Sequence, residues 1–595
     1  MAHCGGGDGA GGDLRAALMA SVPHKVGADH PSASRVVLPI TSRGIELTDR
    51  VCWGILAVAM AIAAGLILYL NRGTTFFLDE PTWVFQTPGL GPSDVLDPHN
   101  GHLIATTRLV YKAILETIGA EYVAFRVLAA ATVLLSAGLF YALARRRIGA
   151  VAALAPTFVL LFFGSAWQHV VVPVGFTVVF SIAAGLAALL ALERGDRRGD
   201  IAASALLVLS VATYTTGLGF LVGAAVSVLL RPDRRRRAWI FLIPIALYAA
   251  WWLWSTSSVE SPRGETRASN FLLIPNWAAD SLAVVTAALT GVDFDFTREG
   301  SPNVDLTWGR VLAVVAIIAL ALRIRKGNVP ASLWASLGIV LTYWALGALA
   351  FGVDRTPDAI RYLYMGGVGV LLVATDAARG IRFSRLGLIA LFAACALSLV
   401  TNLAILRDAG AYFRTFSDTA GAELAMLELS RGTVDPDFDP TRLPGFISPL
   451  VQSGARAGTY FTVVDRYGSP ALPVSELERK SAVVRENADL VLSSALDLRL
   501  EPAARLPAEG CRQVRADPAT GIATFELPSG GATLLARATG PAEVTVGRFA
   551  DSPGIGVGSL APGEAATLPI PADDASKPWR ASVGGARSVK ACPVG

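Results

Sequence analysis

Charge is scarce in this sequence. Asp, Glu, Lys and Arg make up 16% of its 595 residues, against 53% hydrophobic, a balance too apolar for an ordinary soluble domain. Cysteine is also sparse, with five in all (Cys4, Cys52, Cys395, Cys511 and Cys592). None falls in a CxxC or Cys/His cluster at metal-ligand spacing, which argues against a structural zinc module. The formal net charge is only +4, and the arginines gather in short loops between apolar runs, so nothing points to a nucleic-acid partner. Internal repeats are missing, and the one low-complexity tract is the N-terminal HCGGGDGAGGD. The apolar runs hold almost no ionisable residues, which speaks against a transporter or flippase, because these carry charge mid-span and often repeated halves.

What the chain has is hydrophobic length. Residues 51–70 supply about 20 apolar residues, enough to cross a hydrocarbon layer roughly 30 Å thick. Further runs near 122–144, 149–166, 174–192, 201–214, 216–230, 238–256, 308–322, 331–352, 359–376 and 386–404 bring the count to about eleven spans. Arg43 and Arg50 precede the first run, and every second loop is basic: 145–147, 193–200, 231–237, 323–326 and 379–385. This positive-inside pattern puts the N-terminus in the cytoplasm and the first loop outside. Residues 201–230 form one apolar run with cytoplasmic-type charge on both flanks, so parity requires a hairpin of two short helices turning near Thr215 to Gly219.

The expected fold class is therefore mainly α: a polytopic transmembrane helical bundle with a C-terminal exoplasmic α+β region. Residues 1–50 read as a disordered cytoplasmic tail, 51–404 as the transmembrane domain with outer loops 71–121 and 257–307, and 405–510 as a mostly helical exoplasmic region. Ser475 and Glu478 read there as a capping box. Residues 511–595 carry short β-type runs, ATFEL, ATLLARA and EVTVGRF, between PSGG, GP and PG turns, which predicts a small β-sandwich-like module. Cys511 and Cys592 bracket it and are a disulfide candidate if it faces an oxidising compartment.

The chemistry concentrates in the first loop, FFLDEPTWVFQTPGLGPSDVLDPHNGH at 76–102. Asp79 and Glu80 form an acidic pair at the mouth of a span, followed by His99, Asn100 and His102. A carboxylate beside a membrane-exit helix can act as a general base, taking a proton from an acceptor hydroxyl as that oxygen attacks an activated carbon. Asp79 is the candidate. A lipid-phosphate leaving group would need a cation, and the planar guanidinium fork suits phosphate oxygens; Arg355 and Arg361 stand at the outer end of a late span. The loop closes in an amphipathic segment, with Leu103, Val110, Ile114 and Ile118 on one face and Arg108, Lys112 and Glu116 opposite. It reads as an interfacial helix with its basic edge near headgroups. The 257–307 loop has Arg263, Glu265 and Arg267, then an apolar patch read as a second interfacial or re-entrant helix. Plainer readings stand beside these: a solvated loop start for Asp79 and Glu80, and snorkelling for the arginines. Trp251, Trp252 and Trp254 are taken as an aromatic belt, and Asp465, Arg466 and Tyr467 as a structured turn in preference to a carbohydrate site.

Taken together, the DE pair ending a span, a first outer loop with an interfacial helix, about eleven spans, the late Arg361-Tyr362 and the exoplasmic C-terminal region resemble the GT-C superfamily. These membrane glycosyltransferases use polyprenyl-phosphate sugars and include the protein O-mannosyltransferases and the arabinosyltransferases. The resemblance implies that Asp79 is the loop carboxylate, that Glu80 is an orienting or metal-contacting group, and that Arg361 and Tyr362 hold the lipid phosphate. It gives His99, Asn100 and His102 to sugar or acceptor contacts. Pro81, directly after the pair, departs from the pattern. The implied partners are a polyprenyl-phosphate sugar donor, an envelope glycan, lipid or protein acceptor, and the lipid bilayer of a bacterial plasma membrane, with transfer on its outer face. No cofactor is assigned, a divalent metal beside Glu80 is left open, and no metal ligands are identified. The alternative function is a non-catalytic envelope scaffold that keeps the fold.

Overall fold

The computed structural model describes residues 36–38, 45–258, 268–292, 294–296, 302–304, 306–351, 355–444, 448–450, 454, 456–507, 509–572 and 577–594. The chain divides into two compact units, Met1–Trp53 and Gly54–Gly595. In the first, Val36–Leu38 pairs antiparallel with Ile45–Leu47; residues 1–35 and 39–44 of the expected disordered tail, Cys4 and Arg43 among them, lie outside the described residues. So do Arg263, Glu265 and Arg267.

The long apolar runs form helices because a backbone in hydrocarbon must satisfy its own hydrogen bonds. Among the described residues, eight helices are long and apolar enough to cross a membrane: Asp49–Leu70, Tyr122–Ile148, Pro173–Glu193, Arg234–Ser257, Ser269–Thr290, Leu306–Arg325, Ala331–Leu349 and Arg385–Leu429. A ninth arises if Ala150–Leu161 and Gly164–Val170, bent by 42°, count as one span. The protein is an integral membrane protein, and its outward-facing side chains show it: Val58, Ile62, Val315, Ile318, Leu397 and Val400 are all more than half exposed, the pattern of a bundle ringed by lipid. Pro173–Glu193 lies within, with 72% of its central window buried.

Two ends of the bundle can be told apart by their chemistry. At one, the basic loops are tied down: Arg237 pairs with Asp200 through Nε at 3.0 Å, and Arg147 with Asp376 at 2.9 Å. Ser332 and Ser336 each donate to Asp376 at 2.6 Å. At the other end lie the Asp79 loop and Arg361. Arg197–Thr213 and Leu363–Ala377 run between these ends despite their shortness, alongside Gly217–Leu229 and Ala150–Leu161. The break required within 201–230 falls at Tyr214–Thr216, between two helices.

Ile274–Thr290 is long enough to span, yet both its termini meet the Asp79 end. Trp277 packs near its start on Tyr362 at 5.6 Å, and the Leu289 carbonyl near its finish accepts from Ser398 at 2.6 Å. Asn402, one turn beyond Ser398, accepts the Ser165 N–H at 3.0 Å just past the bend after Ala150–Leu161. This helix therefore lies across the bundle, in the place read as interfacial or re-entrant. Setting it aside leaves seven long and four shorter helices between the two ends, among the described residues.

Arg385–Leu429 leaves the bundle and enters the C-terminal region without a break. There Met426 joins Val491 and Leu492 of helix Ala482–Ala495, Leu534, Val544 and Val589 of an antiparallel sheet, and Trp579 just before its last strand, in one apolar core. The sheet is built on a central pair, Gly530–Gly547 with Arg580–Pro593, whose register shifts between Gly584 and Ser588. Alternating exposed and buried residues in Ile522–Glu526 set its inner face. Cys511 and Cys592 are disulfide-bonded, closing a sequence separation of 81. The expected capping box is corrected: Val474–Leu477 is a single turn with no side-chain cap, and Ser481 caps the next helix by accepting from Val484 at 3.5 Å.

Candidate active site

The first loop is riveted at Glu80. Its carboxylate is fully buried and opens the helix Glu80–Gln86. Oε1 accepts from the Tyr111 hydroxyl at 2.7 Å, and Oε2 accepts from Tyr122 at 2.7 Å and from the Phe77 N–H at 3.1 Å. Burial pushes this carboxyl up to about 7 against the pull of those donors. Pro81 sits in the first helical turn, where its missing N–H costs nothing. Both of its oxygens are thus engaged within the loop and the neighbouring helices.

Asp79 points elsewhere. Leu78 before it has φ 57°, a left-handed backbone that is an outlier for a bulky side chain. The side chain of Asp79 is 37% exposed, and its Oδ2 lies 3.5 Å from His99 Nε2. His99 stands edge-on to Trp83 at 5.6 Å. It reaches there through a tight turn: the His99 N–H donates to the His102 carbonyl at 2.9 Å and the His102 N–H to the His99 carbonyl at 2.8 Å. Asn100 and Gly101 between them have φ 50° and 81°, the two positive angles of a two-residue hairpin. Asn100 is at the exposed tip.

His102 extends toward the break between two spans. Its Nδ1 lies 2.6 Å from Thr215 Oγ1 and its ring 4.5 Å from Tyr214. Burial pushes this imidazole down to about 4, with Arg355 adding repulsion. Asp79, Arg355 and Arg361 all act electrostatically on both His102 and Tyr214, so the structure gathers these predicted residues around one spot. Tyr362 joins them, held among Trp277 at 5.6 Å and Tyr343 at 6.1 Å. Beside His102 begins an apolar groove of about 410 Å³ lined by Leu103, Val211, Tyr248, Trp251 and Trp254. Among the described residues no group of three His, Cys, Asp or Glu could hold a metal ion.

Three residues at this end escaped the sequence reading. Tyr214 and Thr215 occupy the helix break, which parity located without showing what it carried. His169 is buried, its Nδ1 has no hydrogen-bond partner among the described residues, and it lies within electrostatic reach of Arg361. Its signal was a lone histidine between two apolar runs.

The amphipathic segment is a helix, Ala105–Thr117, but its phase is corrected. Thr107, Arg108, Tyr111 and Leu115 are buried, while Ile118 is 55% exposed. Arg108 donates to the carbonyls of Asp94 at 2.5 Å and Asp97 at 2.6 Å, and Lys112 to that of Leu90 at 2.8 Å. Its basic residues are thus covered by the loop itself and do not form a headgroup-facing edge. Trp251 likewise does more than line a belt, donating to the Leu96 carbonyl at 2.7 Å. Residues 465–467 end a helix, Ala457–Tyr467, in which Asp465 pairs with Arg431 and Arg466 with Glu116, both at 2.7 Å.

No protein-family model matches the sequence, and no curated protein matches it. Among solved structures, the chain is similar to one described as the crystal structure of ArnT from Cupriavidus metallidurans bound to undecaprenyl phosphate. The identity is 13%, the TM-score is 0.43, and the alignment covers 76% of this chain and 96% of the other.

Proposed function

We propose that this protein is a membrane glycosyltransferase of the GT-C type, transferring a sugar from a polyprenyl-phosphate donor to a cell-envelope acceptor on the outer face of a bacterial plasma membrane. The observation that carries the reading is the meeting of a half-exposed carboxylate, Asp79, with two guanidinium groups, Arg355 and Arg361, around His102 and Tyr214. Asp79 takes the proton of the acceptor hydroxyl as its oxygen attacks the anomeric carbon. The bond from that carbon to the phosphate oxygen breaks, and its electron pair leaves with the lipid phosphate. That phosphate gains negative charge, which Arg355 and Arg361 offset. His102, held neutral by burial, offers a hydrogen bond without competing for the phosphate as a cation. The apolar groove beside it suits the donor's hydrocarbon chain. The proposal rests on this chain's own geometry.

Sugar transfer measured in membranes with a panel of polyprenyl-phosphate sugars and crude envelope acceptors tests the reading. At matched expression, Asp79→Asn lowers transfer about 100-fold or more while donor binding is retained. A wild type that transfers nothing, or an Asp79→Asn variant as active as wild type, removes the catalytic reading and leaves a non-catalytic envelope scaffold.

A further inference from the structure

We infer that His99 is the positioning residue of Asp79, and that the Asn100–Gly101 turn serves to place it; the inference rests on the reading of Asp79 as base. The two histidines are opposed residues of an antiparallel pair that exchange both backbone hydrogen bonds, so their side chains share one face of the hairpin. His102 is tied to Thr215 at 2.6 Å and set against the Tyr214 ring. With one imidazole fixed and both turn residues at positive φ, the hairpin has little freedom to swing. The other imidazole is thereby delivered to Asp79.

The contact is asymmetric. His99 is 12% exposed and Asp79 37%, so the histidine stands behind the carboxylate and the carboxylate faces the open side. His99 Nε2 lies nearest Oδ2, at 3.5 Å, which leaves Oδ1 for the acceptor. On the other side of Asp79 the chain approaches through Leu78 in the left-handed region, a conformation unfavourable for a residue with a side chain. Two unusual backbone segments thus converge on one side-chain pair.

There is a physical need for such a support. Arg355 and Arg361 share the neighbourhood of Asp79, and an untethered carboxylate near guanidinium groups turns to form a bidentate pair with them. Asp79 would then be spent on the cations meant for the phosphate. The other groups facing His99 are His102, the Trp83 edge and the Asn100 amide nitrogen, which lies 3.4 Å from the same Nε2; a protonated Nε2 finds no acceptor in that nitrogen and directs its N–H to Oδ2. In the transfer step the acceptor proton passes to Oδ1, while the His99 N–H stays on Oδ2 and its proton count does not change.

The experiment compares His99→Ala and His99→Gln by steady-state transfer, with thermal unfolding in detergent as the check on folding. His99→Ala lowers kcat about 10- to 100-fold and leaves the donor KM within about threefold. His99→Gln, whose amide N–H can still reach Oδ2, recovers to within about fivefold of wild type. A rise in donor KM for both variants would make His99 a sugar or phosphate contact, and a Gln variant as slow as Ala would make it a proton acceptor; either overturns the inference. His99→Ala within threefold of a wild type that does transfer sugar, and that loses transfer on Asp79→Asn, sinks the positioning role alone. A wild type without transfer sinks the Asp79 reading and this inference with it.

Discussion

Asp79 and Glu80 are neighbours with opposite fates, and the difference has a measurable consequence. The Glu80 carboxyl is pushed from an ordinary value of 4.5 up to about 7 by burial. Between those values the folded chain keeps a proton that the unfolded chain has released. Its contribution to stability is therefore full below the ordinary value and is lost as pH rises through about 7, about 3 kcal/mol in all. Wild-type thermal stability should fall between about pH 4.5 and 7, and Glu80→Gln, which cannot ionise, should flatten that slope. Equal slopes in both proteins would mean that Glu80 is ionised and solvated. The acidic pair was legible in the sequence, and the resemblance split its roles; the burial of Glu80 was not legible. It is decided by Tyr111 and Tyr122, lying 31 and 42 residues further on, and by a helix start that turns successive side chains to different sides. The HNGH turn was readable in principle, since Asn-Gly between opposed residues is a strong short-range hairpin signal, but its residues were read only as sugar or acceptor contacts.

At the scale of elements, the loop that carries Asp79 is braced by the C-terminal region. Arg466 donates to Glu116 at 2.7 Å and to the Pro88 carbonyl at 3.2 Å, and the Tyr467 hydroxyl donates to Glu116 at 3.0 Å. The Ala120 N–H donates to the Tyr467 carbonyl at 2.8 Å, and Tyr460 packs edge-on to Phe85 at 5.9 Å. The charged pair is exposed to solvent, so Arg466→Ala or Glu116→Ala should leave thermal stability nearly unchanged. Transfer should nevertheless fall about 5- to 10-fold, because a slackened loop presents Asp79 less often in a reactive pose. The double variant should be no slower than the worse single one, as expected of partners in one interaction. Unchanged transfer in both single variants would detach the C-terminal helix from the chemistry. Amphipathic spacing located the helix Ala105–Thr117 correctly but assigned its faces wrongly. A pattern of apolar and charged positions shows that two faces exist, and it cannot show that a carbonyl-rich loop will cover the charged one.

Across the whole molecule, the two ends of the bundle are chemically unlike, and this fixes a test of sidedness. The arginine loops that predicted a cytoplasmic side supply Arg147 and Arg237, each bound to a carboxylate on another helix; the sequence showed the arginines but not partners lying 37 residues away in one case and much further in the other. The Asp79 end is continuous with the C-terminal region through the brace at Glu116 and through Thr75, which donates to the Pro470 carbonyl at 3.1 Å. A disulfide between Cys511 and Cys592 persists only where the compartment is oxidising, so the bond and the proposed outward-facing site must lie on the same side. In intact cells expressing a chain with Cys4 and Cys52 replaced by serine, a membrane-impermeant maleimide should not react until a reductant is added, and should then label both sulfurs. Cys395 is buried and should stay silent. Opening this bond releases a loop with a sequence separation of 81, so Cys511→Ser with Cys592→Ser should cost the C-terminal region about 4 kcal/mol. Labelling that appears only after the membrane is breached would place this region in the cytoplasm. Asp79 would go with it, and an outer-face transfer reaction would be impossible for this chain.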